Sequence, residues 1–103
     1  MHEQIATHMA DLRALCRRFA VARLEVFGSA ARGSNFDPAR SDADFLVEFQ
    51  PETQLPPLQQ FFGLSEALER LLGRRVDLIE TGAVRNPYVL AEVNRARELI
   101  YAA

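Results

Sequence analysis

Lysine is absent from the 103 residues, and all twelve basic side chains are arginine. That excludes Schiff-base chemistry on a lysine and the lysine of a phosphate-binding P-loop, and no GxxxxGK[ST] run occurs. Cys16 is the single cysteine, so an intrachain disulfide and a thiolate metal cluster are excluded. Basic residues form no run beyond pairs such as Arg17-Arg18 and Arg74-Arg75, and the net charge is −2. Without the basic stripe that a polynucleotide requires, no long nucleic acid is expected as a ligand. No apolar run approaches the roughly 20 residues needed to span a bilayer. The opening Met1-His2-Glu3-Gln4 has neither the basic nor the apolar region of a signal peptide, so no membrane is expected as a partner and the expected location is a reducing cytoplasm.

Hydrophobic residues make up 49% of the chain and charged residues 25%, the balance of a folded globule. The length suits one domain, residues 1–103, with a core small enough that an oligomer or a hetero-complex would help stabilise it. Ile5, Met9, Leu12, Cys16 and Phe19 recur at helical spacing over about 3–20, which makes Met9 and Cys16 core residues rather than chemical ones. Arg23 to Phe27 reads as a short strand that stops at Gly28-Ser29, and 34–41 as a polar, turn-rich loop. A second strand is expected at about 43–49. Leu58, Phe61, Phe62, Leu68, Leu71 and Leu72 then repeat with helical period up to Gly73, a C-terminal stop. Arg75 to Ile79 reads as a third strand, Asn86-Pro87 as a helix start, and Glu98 to Tyr101 as a final strand. The order α-β-β-α-β-α-β predicts an α/β (α+β) two-layer domain, a small sheet with helices on one face.

The chemistry concentrates in Gly28-Ser29-Ala30-Ala31-Arg32-Gly33 and in Ser41-Asp42-Ala43-Asp44. Asp42 and Asp44, two residues apart at the opening of a strand, project from one face, while Phe45, Val47 and Phe49 take the other. Two carboxylates that close repel by about 4 kcal/mol at 4 Å and an effective dielectric of 20. A strand tolerates this when the pair is solvated, shares a proton or holds a cation, and a hard divalent ion such as Mg²⁺ is held by one or two carboxylates together with substrate phosphates. Asp77 interrupts an apolar strand between Val76 and Leu78. If its strand neighbours 43–49, three acids converge, the set that two-metal nucleotidyl transfer uses, with Asp77 placed to act as base. The residues alone leave Asp77 a second reading, a structural acid paired with Arg75 on its own face. Gly28-Ser29 offers close backbone approach, exposed N–H groups and a hydroxyl to phosphate oxygens, and Arg32, one turn on, a charge-assisted contact. Arg40, beside Ser41-Asp42, reads as a surface loop residue, and Glu48 as a solvent-facing one.

These motifs, with Val76-Asp77-Leu78 and the terminal Asn86-Pro87-Tyr88 and Leu99-Ile100-Tyr101, resemble the polymerase-beta-like nucleotidyltransferase superfamily and, in so short a chain, its minimal (MNT) branch. The resemblance runs from about Leu24 to Ile79. It implies that Gly28 and Ser29 bind the triphosphate, with Ser41 and Arg32 beside them, and that Asp42, Asp44 and Asp77 hold two Mg²⁺ ions. It further implies an enzyme that takes ATP as nucleotide donor. Minimal members often accompany a HEPN-domain toxin as its antitoxin, and some transfer AMP onto a tyrosine of the toxin. The chain departs from the usual spacing by placing twelve residues between Ser29 and Asp42. The surplus falls in Ser34 to Arg40, where lengthening costs little.

With about 25 residues after Ile79, no room remains for an acceptor-binding domain, so the acceptor is expected on a partner protein. Two other readings stand beside this one: a non-catalytic antitoxin that covers its partner, and a small-molecule nucleotidyltransferase.

Overall fold

Apolar side chains on alternate residues turn two short segments into the centre of a sheet. The computed structural model describes residues 3–27, 43–81 and 97–103. Within them run α1 (Glu3–Thr7), α2 (Met9–Arg18), β1 (Val21–Phe27), β2 (Ala43–Phe49), α3 (Pro57–Leu72), β3 (Val76–Glu80) and β4 (Arg97–Ala102). The expected helix from Asn86-Pro87 lies outside the described residues. The four strands form one mixed sheet in the order β3-β2-β1-β4, with β1 antiparallel to both β2 and β4, and β2 parallel to β3.

Leu24 and Val26 of β1, Phe45 and Val47 of β2, Leu78 of β3 and Ile100 of β4 point to one face, where Ile5, Leu12, Cys16, Leu64, Leu68 and Leu72 from the helices complete the core. This is the expected two-layer α/β arrangement with helices on one side. It has a direct consequence: Asp44, Leu46 and Glu48, the alternate residues of β2, lie on the face turned away from that core. Phe27, Leu46 and Ile79 form a small apolar cluster there.

Three local features depart from simple periodicity. The segment 3–20 is two helices, because the backbone at His8 leaves helical geometry (φ −101°, ψ 15°) and its ring Nδ1 lies 2.7 Å from the Gln4 carbonyl. β1 begins at Val21, two residues before the expected start. A bulge between Val21 and Arg23 shifts the alternation so that Val21 and Leu24, an odd number of residues apart, are both fully buried. Gln60, buried on α3, donates to the carbonyls of Phe19 at 3.0 Å and Ala20 at 3.4 Å, which satisfies the turn from α2 into β1. At the other end of α3, Gly73 takes φ 67° and its N–H closes on the Glu69 carbonyl, the stop its position in the sequence suggests.

Candidate active site

Asp44 and Asp77 meet across the β2–β3 ladder. They are direct partners in the parallel register, and partnered residues share a face, with strands about 4.8 Å apart. Asp77 is exposed and Asp44 half-buried. Beside Asp44, on its other flank, Phe27 is its partner on β1, and Phe27 in turn is paired with Arg97 on β4. One end of the open face is therefore a row across all four strands: Asp77, Asp44, Phe27, Arg97.

Of the site residues expected from the sequence, these two acids are brought together. Gly28, Ser29, Arg32, Ser41 and Asp42 lie outside the described residues. By chain connectivity, Asp42 is two residues before Asp44 and Gly28 follows Phe27. Among the described residues no ion pair joins Arg75 to Asp77, and both are exposed, so the structural-acid reading gains nothing from an Arg75 partner. Phe61 is half-buried against the core, whereas Phe62 keeps 61% of its surface and Leu58 73%.

A divalent cation fits the donor set. Two carboxylates on one face and in register supply hard oxygen ligands to a space reachable from solvent, and a hard ion with its waters suits such a site. Among the described residues no group of three or more His, Cys, Asp or Glu gathers; the pair is the described part of the set that Asp42 would extend.

Sequence reasoning missed a second charged cluster. Glu25, buried at 6% exposure, stands on the open face in the middle of β1, with Arg23 Nε 3.0 Å from its Oε1 and Arg97 Nε 3.2 Å from its Oε2. The signal was present, since Glu25 interrupts an apolar strand as Asp77 does. Its partner Arg97 lies on a strand far along the chain and could not be assigned from spacing.

Cys16 is not a nucleophile of this site. It is fully buried in the helical layer, and burial pushes its thiol up to about 12 from 9.0, against the opposing pull of Arg17. A protonated, enclosed thiol is inert. The folded value lies above the unfolded one, so the associated stability is fully present below pH 9 and is lost as pH rises from 9 toward about 12. We expect Cys16→Val to flatten the alkaline limb of a stability–pH profile measured by urea unfolding. A limb that stays equally steep would place its cause elsewhere.

The sheet carries helices on one face and, near strand ends on the other, the paired acids Asp44 and Asp77. The model of the nucleotidyltransferase domain family matches residues 11–100, and the chain belongs to that family; it is a nucleotidyltransferase. It is 36% identical over 97 residues to the protein adenylyltransferase MntA of Thermococcus cleftensis, a match covering 94% of this chain and 87% of that one. A solved structure assigned as a minimal nucleotidyltransferase superposes with a TM-score of 0.72 at 33% identity, covering 95% of both chains. The fold is also shared, at 17% identity and a TM-score of 0.63, with a structure of a tri-AMPylated Shewanella oneidensis HEPN toxin in complex with its MNT antitoxin, where the match covers 95% of this chain and 72% of that one. Among the described residues no helix is long and apolar enough to cross a membrane.

Proposed function

We propose that this chain transfers AMP from ATP, with Mg²⁺, to a tyrosine hydroxyl of a partner HEPN toxin and so acts as its antitoxin. Residues 1–103 serve as one catalytic domain that works in the cytoplasm as part of a hetero-complex. The observation that carries this reading is the register of Asp44 with Asp77 on the face opposite the helices. The kinship with MntA and the shared fold with an MNT antitoxin bound to an AMPylated toxin support the choice of acceptor.

The proposed chemistry is a displacement at the α-phosphorus. The acceptor oxygen forms a bond to that phosphorus as the bond to the β-phosphate oxygen breaks, and pyrophosphate leaves with the electron pair. The hydroxyl proton passes to a base, a role we assign to Asp77, whose exposure supports it. Gly28 and Ser29 hold the triphosphate through backbone N–H groups and a hydroxyl, with Arg32 and Ser41 as further contacts. Asp42, Asp44 and Asp77 would hold two Mg²⁺ ions, which when bound neutralise triphosphate charge and lower the pKa of the acceptor hydroxyl.

Incubating the chain with its toxin, ATP and Mg²⁺ should add the mass of AMP to the toxin by intact mass spectrometry, and peptide mapping should place it on tyrosine. A toxin neutralised with no added mass would favour the alternative in which the chain only covers its partner. The exposed Leu58 and Phe62 on α3 are the observation that favours that alternative. An adduct on a small molecule but never on the toxin would support small-molecule transfer.

A further inference from the structure

Among the described residues the sheet ends at β4 on one side and at β3 on the other, and the two edges differ. β4 carries a bulge against β1, and Arg13 of α2 reaches its Ile100 carbonyl at 3.4 Å. Both features keep an edge strand from pairing with another chain. β3 has no such bulge and runs in unbroken register with β2. The Ala43 N–H bonds the Arg75 carbonyl at 3.1 Å, so the odd-numbered residues turn their backbone groups to β2. Val76, Leu78 and Glu80 turn theirs outward. An open cavity of about 420 Å³ is lined by Phe61 together with the successive residues Leu78, Ile79 and Glu80, which places it where α3 meets the end of β3.

α3 continues this surface. A Cβ at Gly63 would lie 2.6 Å from the Phe19 ring at the end of α2, so that side of α3 faces α2. Leu58, Phe61 and Phe62 lie about 140°, 160° and 100° around the helix from it. Leu58 and Phe62, the most exposed large apolar residues described, therefore flank the edge that Phe61 and β3 line.

We propose that β3 and the outer flank of α3 form the interface of a homodimer, in which two copies of β3 pair antiparallel about a two-fold axis at Leu78. In this register Val76 of each copy lies opposite Glu80 of the other and Leu78 opposite itself. Every outward N–H and C=O of the three residues then gains a partner. Val76 of the second copy points to the helical side and enters the cavity beside Phe61. The helices fit as well. α2 packs on β1 and β4, and α3 on β3. With helices 8–10 Å apart over strands about 4.8 Å apart, each helix spans two strands. The two α3 helices then lie about 10 Å from one another, at packing distance, with Leu58 and Phe62 of both copies between them.

Charge favours a second copy as the occupant. Arg74 and Arg75 precede β3 and Glu80 ends it, so antiparallel pairing sets each basic start beside an acidic end. On the helical face, Arg74 is diagonal to Glu80 of the other copy, within reach of long side chains. On the open face Asp77 lies opposite Ile79. Its own counterpart is diagonal, about 7–8 Å away, and each Asp77 has Arg75 two residues along on the same face. The isologous contact thus brings together as many arginines as acids. The inference does not depend on the transfer chemistry.

Sedimentation equilibrium on the full chain across the micromolar range tests it, with circular dichroism at the lowest concentration to show that each variant is folded. The wild type should dimerise. Phe62→Glu, which sets like charges across the axis, should raise the dissociation constant at least about tenfold. Glu80→Pro removes an N–H that points away from β2, and symmetry counts the loss twice, so about tenfold is expected again. Glu80→Gln keeps that N–H and should have a smaller effect. Ala14→Glu, on the exposed face of α2, should have none. In the unaltered chain, amide exchange at Leu78 and Glu80 should slow as concentration rises. A wild type that stays monomeric, a dimer that Phe62→Glu and Glu80→Pro leave intact, or dimerisation without slower exchange at Leu78 and Glu80 would overturn the inference. A monomeric chain whose Phe62→Glu variant no longer binds the toxin would also overturn it and assign this surface to the toxin.

Discussion

Asp44→Asn should lower nucleotidyl transfer at least about a thousandfold while the chain stays folded. Asparagine keeps the shape of aspartate and removes the charge a divalent cation needs, and metal stabilisation of a phosphoryl transition state is worth several kcal/mol at about 1.4 kcal/mol per tenfold in rate. Asp44 sits between β1 and β3 with Phe27 and Asp77 as its cross-strand partners, so its carboxylate has the second acid directly beside it. Asp77→Asn should cost about a hundredfold or more, the usual worth of a general base. The double variant should be little worse than Asp44→Asn alone, since residues that act as a unit are strongly non-additive. Single-turnover transfer with saturating ATP measures all three. Strictly multiplicative losses would mean that the two acids act separately.

Phe45→Ala should bring the largest loss of stability. Phe45 is fully buried, on the central strand β2, between Val26 on β1 and Leu78 on β3, and against the helical layer. Truncating a buried phenylalanine typically costs 3–5 kcal/mol through lost transfer energy and the cavity left behind. A domain this size has about 5–15 kcal/mol to lose, so much of the variant should be unfolded at modest urea concentrations. Phe45 is also the neighbour of Asp44 along the strand, on the opposite face. Slack in its packing loosens the aspartate, and activity should fall more than the folded fraction alone explains. Phe45→Leu, which leaves a smaller void, should lose about a third as much. A urea midpoint for Phe45→Ala within error of the wild type would show that the β2 core face is not packed as described.

The most legible part of the fold was β2. Its alternation of Asp44, Leu46 and Glu48 with Phe45, Val47 and Phe49 sets both the strand and its two faces, and the strand runs from Ala43 to Phe49 as expected. The end of α3 at Gly73 was equally readable, because a left-handed residue after a leucine-rich helical run favours glycine. The break at His8 was not, since Ile5, Met9 and Leu12 keep a helical spacing that continues smoothly across it. Nor was the bulge at Val21, which depends on pairing with Phe49 on another strand.

At the site, the spacing of Asp44 on its strand and the acid in the middle of Val76-Asp77-Leu78 were both visible, but their meeting was conditional on strand order. Strand order is a long-range property: β2 and β3 pair in parallel with α3 between them in the chain, and nothing local records it. The Arg23–Glu25–Arg97 cluster shows the same limit more sharply. Glu25 alone could be flagged as an acid in an apolar strand, whereas its grip on Arg97 follows only from the β1–β4 pairing.

The most direct measurement is the binding of Mn²⁺ in place of Mg²⁺, followed by electron paramagnetic resonance in the presence of a non-hydrolysable ATP analogue. The wild-type chain should take up the ion, and Asp44→Asn and Asp77→Asn should each lose most of that affinity, because in the proposed site each of the two acids would supply an oxygen ligand to the cation. An Asp77→Asn chain that binds Mn²⁺ as tightly as the wild type would contradict the shared site.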